Sequence, residues 1–160
     1  MEIKIDEIED KDIKRAHDFC MGIFDELGWD KRFNYGLENL KRFFAGGREL
    51  FLLAKKGGHI IGCGGLKELS KDNGLLKRFY IAKKHRGKGL GSLMIKKIKN
   101  FAKDKEYKAI VLDIHKDNSG IRAKRFYQKH GFEPFTPEFS EKWEESKHPE
   151  SFEFRKLNIV

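Results

Sequence analysis

Residues 75–91 read Leu-Leu-Lys-Arg-Phe-Tyr-Ile-Ala-Lys-Lys-His-Arg-Gly-Lys-Gly-Leu-Gly. An apolar, strand-like run ends at Ile81, a short basic link follows, and Arg86-Gly87-Lys88-Gly89-Leu90-Gly91 opens onto a helical pattern. Strand, glycine turn and helix N-terminus together form a site suited to a phosphate. Glycines let backbone N–H groups turn inward and let a ligand come close. The helix dipole contributes partial positive charge there, and Arg86 and Lys88 add full charges.

The elements on either side extend this unit into an α/β chain. Ile3, Ile5 and Ile8 alternate with charged residues over 2–8, as in a strand. Ile13, Ala16, Cys20, Ile23, Phe24 and Leu27 mark one face of a helix that Gly28 ends. A short second helix uses Leu37, Leu40, Phe43 and Phe44. Strands are expected at 50–54 and 60–66, joined by a turn at Lys56-Gly57-Gly58-His59. After Gly89 a helix buries Leu90, Leu93, Met94, Ile98 and Phe101 and turns its lysines to water. A strand at 109–114, a helix near 120–130 ending at Gly131, and closing strands at 132–135 and 152–159 complete the chain. Residues 136–150 form an acidic, irregular excursion. The expected architecture is one domain over 1–160, a mixed central sheet of about seven strands flanked by helices. Strands 75–81 and 109–114 should lie parallel, joined by a right-handed crossover, with ligands beyond their carboxyl ends.

Composition narrows the classes. The 160 residues are 39% apolar and 37% charged, with 14 phenylalanines, which favours a packed core. Cys20 and Cys63 have no CxxC spacing, and the histidines are scattered, so neither a disulfide framework nor a metal site is expected. No apolar run has the length of a membrane span or a signal peptide, so a cytoplasmic protein without a membrane partner is expected. Lys and Arg number 34 against 25 Asp and Glu, a net charge of +9. That suits an anionic partner such as nucleic acid, a phosphorylated cofactor or an acidic substrate, or else a merely solvated surface.

The glycine spacing excludes the commoner phosphate motifs. Gly91 is followed by Ser92-Leu93, not by the Lys-Ser/Thr of a Walker A loop, and no frame yields GxGxxG. What fits is Arg-x-x-Gly-x-Gly at Arg86, Gly89 and Gly91, with Arg125-Phe126-Tyr127-Gln128-Lys129-His130-Gly131-Phe132 downstream. With these two segments the sequence resembles the GNAT family of N-acetyltransferases. LKRFYIAKKHRGKGLGSLMI looks like its acetyl-CoA motif and RFYQKHGF like its FYxxxGF signature.

The resemblance implies the GNAT fold, acetyl-CoA as co-substrate without a metal, and specific roles. Backbone N–H groups of Arg86, Gly87, Lys88, Gly89, Leu90, Gly91 and Ser92 would cradle the CoA pyrophosphate. Phe79, Tyr80 and Ile81 would pair with the pantetheine arm, and a strand N–H near Ile81 would polarise the thioester carbonyl. Tyr127 would protonate the departing thiolate; the alternative is a core aromatic. Some members use a glutamate on the motif strand, which here carries no acid. Asp113 on the next strand aligns with the carboxylate that other members use as general base, with His115 or a water relay as alternatives and a structural ion pair as the plainer role for Asp113. Many members place an asparagine seven residues before the tyrosine. Here that position is Gly120, and Asn118 lies nine before, so Asn118 is the candidate CoA contact.

The acceptor implied is a primary amine, on a small molecule or on a protein, attacked directly in a ternary complex. Trp29, Tyr35, Glu138, Glu141, Trp143, Glu144 and Glu145 could form an acidic, aromatic rim for a cation or a solvated surface around a core tryptophan. A non-catalytic CoA-binding sensor or scaffold is the alternative function. Nucleic-acid binding lacks any recognised motif here, and a homodimer is left open.

Overall fold

In the computed structural model, which describes residues 2–160, the chain runs β1 (Ile3–Glu7), α1 (Ile13–Leu27), α2 (Leu40–Phe43), β2 (Leu50–Lys56), β3 (His59–Glu68), β4 (Asn73–Ile81) and α3 (Leu90–Asp104). It continues through β5 (Ala109–His115), α4 (Ile121–Lys129), β6 (Glu133–Pro134) and β7 (Phe152–Asn158). The strands form one mixed sheet of seven strands, as the sequence leads one to expect, and their spatial order is β1-β2-β3-β4-β5-β7-β6. β4 and β5 are parallel and the other neighbours antiparallel.

Both faces of the central strands are buried, so these strands read as continuous apolar runs. Successive residues point to opposite faces. Leu76 and Leu112 join Met94 and Ile98 under α3, while Leu75 and Val111 join Phe33, Trp143 and Phe152 on the other face. α1 covers the β2–β3 part of that second face through Ala16, Cys20 and Phe24. Two details differ from the sequence reading. On α3 the buried stripe is Leu90, Met94, Ile95, Ile98 and Ala102, while Leu93 is 49% exposed. Leu93 and Ile95 flank Met94 on opposite sides of the helix, and the sheet meets the Ile95 side. In the 136–150 excursion Trp143 is a core tryptophan, 1% exposed, with Glu138 and Glu141 exposed around it, but Glu145 is buried beside the indole and is no part of a solvated rim.

The seam between β4 and β5 positions the site. Their ladder comprises Asn73, Gly74 and Leu75 against Ala109, Ile110 and Val111, and then stops. Beyond it β4 carries a bulge. Cys63 faces Tyr80 and Gly65 faces Lys77, so β4 holds one more residue than β3, and Arg78 takes a φ of 56°. A bulge bends its strand and sharpens the twist. From Leu76 onward the edge of β4 that faces β5 has no strand partner, and a wedge opens between them.

Candidate active site

At the wide end of the wedge lies a cavity of about 530 Å³, reached by Phe79, Tyr80 and Ile81 on one side and by Ala123, Phe126 and Tyr127 of α4 on the other. Gly87, Gly89, Gly91 and Ser92 close its end. Gly89, which precedes α3, has φ 87°, a conformation that costs other residues dearly. A Cβ there would meet no atom within 4 Å, so the cradle is open, and it is the backbone angle rather than crowding that calls for glycine. The first α-helical bond runs from the Leu93 N–H to the Gly89 carbonyl (3.1 Å), so the N–H groups of Leu90, Gly91 and Ser92 precede the ladder and are free for an anion.

Side chains in this loop divide their tasks. Arg86 donates to both Glu26 oxygens (2.6 and 2.9 Å) and to the Ile81 carbonyl (2.8 Å), so its charge is offset and its work is to tie β4 to α1. The Arg86 guanidinium holds the Glu26 carboxyl below its ordinary value. The Leu90 side chain is buried in the core, and Lys88 is exposed outside the cavity lining. Ser92 Oγ lies 3.0 Å from His130 Nε2. Asn118 lines the cavity, as do Arg122 and Lys129 of α4. Those two cations were not singled out in the sequence. Their spacing with Phe126, one helical face, was the available signal.

Next to this cavity is a chamber of about 90 Å³. Six residues line both: Trp29, Phe79, Tyr80, Ser119, Ala123 and Tyr127. Burial, and after it Asp113 and Tyr80, push the Tyr127 hydroxyl far above its ordinary value, so it carries its proton at neutral pH. Asp113 and His115 project into the same chamber from β5. The Asp113 Oδ2 accepts from Lys77 Nζ (3.2 Å) and Trp143 Nε1 (2.8 Å), while no bond within the described residues engages Oδ1. Lys77 also pairs with Glu145 at 2.7 Å, and Glu145 accepts from the Tyr35 hydroxyl.

The two carboxylates that share Lys77 are driven apart. Burial and the Glu145 charge raise Asp113, against Lys77 and the indole N–H. Burial would raise Glu145 too, but Lys77 and the Tyr35 hydroxyl outweigh it and hold Glu145 low. Such a split is how acid and base roles are set in one site. Burial lowers His115, which is therefore neutral near pH 7. Lys77 was missed in the sequence, although a lysine and an arginine inside an apolar strand require buried partners.

Gly120 explains the displaced asparagine. A Cβ at this position would sit 1.9 Å from the His115 carbonyl oxygen, so no side chain fits there, and Asn118 takes the cavity position. Cys63 is buried 3.8 Å from Cys20, and burial and that neighbour raise its thiol well above the ordinary value, which makes it a poor nucleophile. Within the described residues no cluster of His, Cys, Asp and Glu is suited to a metal ion, and no helix is long and apolar enough to cross a membrane.

On the other face a groove of about 800 Å³ runs past Phe33 and Tyr35 to Glu141 and Glu144. Phe33 borders both groove and chamber. Its carboxylates are largely paired, Glu49 with Lys67 (3.2 Å) and Glu144 with Lys147 (3.2 Å), so it is a mixed surface rather than an acidic one.

Comparison with known proteins gives the same direction. The whole chain is similar in structure to an acetyltransferase of the GNAT family from Staphylococcus aureus Mu50, with a TM-score of 0.81, 21% identity and coverage of 99% of this chain and 100% of that one. An acetyltransferase from Streptococcus agalactiae 2603 gives 0.78 at 19% identity, covering 98% of each chain. PaiA N-acetyltransferase from Thermoplasma acidophilum, solved in complex with coenzyme A, gives 0.72 at 19%, covering 99% of each. At such identities the likeness is one of fold. No curated protein matches the sequence. A sequence profile described as the acetyltransferase (GNAT) family matches residues 20–132, well over half of the chain, and by that match the protein belongs to the GNAT family of acetyltransferases.

Proposed function

We propose that the protein moves an acetyl group from acetyl-CoA to a primary amine by direct attack in a ternary complex. The observation that carries this reading is the wedge: an unpaired strand edge that leads from a phosphate cradle to a chamber bearing a protonated phenol and a poised carboxylate. Acetyl-CoA would supply an activated acetyl thioester. The Arg86 N–H is turned to the Lys83 carbonyl (3.4 Å), so the N–H groups over Gly87–Ser92 would hold its pyrophosphate, with Arg122 and Lys129 beside them and Asn118 at the wall. Phe79, Tyr80 and Ile81 would align its arm by strand-like pairing. The Ala82 N–H bonds to the Ile61 carbonyl (2.8 Å), so by antiparallel alternation the Ile81 N–H faces the wedge, where a thioester oxygen would need a donor.

Asp113 Oδ1 is the proposed base for the acceptor ammonium, and its burial raises its proton affinity in the direction that a base needs. Tyr127 Oη would give its proton to the departing sulfur. The groove past Phe33 and Tyr35 is the approach for the acceptor, and the paired charges along it do not select between a small amine and a protein amine. The buried, unlinked cysteines agree with a reducing, cytoplasmic setting.

The test combines binding and turnover. Thermal unfolding with acetyl-CoA, CoA, ATP and NAD should show stabilisation by the CoA species alone, roughly 2.7 kcal/mol at 100 times the dissociation constant. Acetyl transfer to an amine panel should then be lost in Tyr127→Phe. CoA binding without transfer to any amine would favour a sensor or scaffold, and no CoA binding would end the reading.

A further inference from the structure

Trp29 stands at the junction between the cavity and the chamber. It is the one residue of the α1 side that lines both. Its ring is held on three sides: stacked on His115 at 4.3 Å with 13° between planes, edge-on to Phe24 at 5.4 Å, and donating its indole N–H to Ser119 Oγ at 2.8 Å. Ser119 in turn donates to Asp117. The loop that bears Trp29 is anchored too, its own N–H bonding to the Phe24 carbonyl at 3.0 Å. An aromatic ring so clamped is a wall that cannot swing aside without breaking several contacts at once.

The space behind that wall is small. About 90 Å³ corresponds to roughly three water molecules at about 30 Å³ each. An acetyl oxygen, its methyl group and the attacking nitrogen fill such a space. On the α1 side of this space a further chain carbon would meet the indole, which its contacts hold in place. We infer that Trp29 limits the acyl group to two carbons, so that the donor is acetyl-CoA and longer acyl-CoAs are excluded by the indole. This rests on the acetyltransferase reading and adds to it a residue that determines donor specificity.

Binding tests this without an acceptor. Calorimetric titration of the wild-type protein with CoA, acetyl-CoA and butyryl-CoA should show butyryl-CoA binding at least tenfold more weakly than acetyl-CoA. In Trp29→Ala the two dissociation constants should come within about threefold, and Trp29→Leu should fall between. With any amine that is turned over, the ratio of kcat/KM for butyryl to acetyl donors should rise at least tenfold in Trp29→Ala. Equal affinity of the wild type for both thioesters overturns the inference, even if neither variant folds. So does a folded Trp29→Ala or Trp29→Leu that keeps the wild-type preference. Failure of CoA itself to bind overturns the acetyltransferase reading and this inference with it.

Discussion

The two halves of the wedge are built by opposite means. The cradle side is contiguous and works through backbone: strand end, glycine turn and helix start lie within residues 79–92, and its chief side chain, Arg86, is spent on Glu26. The chamber side is dispersed and works through side chains: Tyr35, Lys77, Asp113, Trp143 and Glu145 come from two strands and two loops far apart in sequence and meet around one buried ammonium. A backbone site tolerates changes in side chains but not in φ. A buried charge cluster tolerates little change in charge but leaves the fold free elsewhere.

The contrast is broken most forcefully at Lys77. Lys77→Met leaves two buried carboxylates without their cation and should cost about 3–5 kcal/mol in urea unfolding. Adding Glu145→Gln should recover part of that loss, a non-additivity the cradle side should not show. At the junction, Tyr127→Phe should lower kcat by about 10²–10⁴ with little change in CoA affinity, read by steady-state kinetics beside calorimetry. On the cradle side, Gly89→Ala forces an ordinary residue into φ 87° and should cost roughly 1–2 kcal/mol together with CoA affinity, the chamber charges being untouched.

The smallest effect sharpens the pH side of the contrast. Glu145 is held below its unfolded value of about 4.3, so its contribution is present above that pH and is lost as pH falls through the folded value, roughly 1.4 kcal/mol per unit of displacement. Glu145→Gln should therefore be less stable than wild type at pH 7, and the difference should shrink on acidification. Asp113 is displaced in the opposite sense: its folded form binds the proton more tightly. The acid limb of kcat/KM should accordingly lie above the ordinary carboxylate range and disappear in Asp113→Asn.

What was legible follows the same division. The element order, the mixed sheet and the glycine turn that opens α3 could be read because each rests on local signals: alternation, helical spacing and glycine placement. The stripe on α3 slipped from Ile95 to Leu93 because periodicity gives the width of a face but not which edge of it the sheet meets. Asp113 was visible as a carboxylate, but its company was not. Nothing near Trp143 or Glu145 in sequence points to Lys77, and the 136–150 run reads as a solvated acidic loop although tertiary contacts bury Trp143, Glu145 and Ser146 within it. The change from asparagine to Gly120 was readable as a departure, while its cause, a carbonyl in the space of the missing Cβ, is a property of three dimensions.

The short ladder between β4 and β5 has a mechanical consequence. Three residue pairs join a leaf of β1–β4 to a leaf of β5, β7 and β6, so the sheet has a fold line along its middle. A ligand laid along the unpaired edge of β4 would act as a splint across that line. Amide exchange along the facing edges of the two leaves should then slow markedly on loading, while the β2–β3 hairpin, laced over its whole length, keeps its rate.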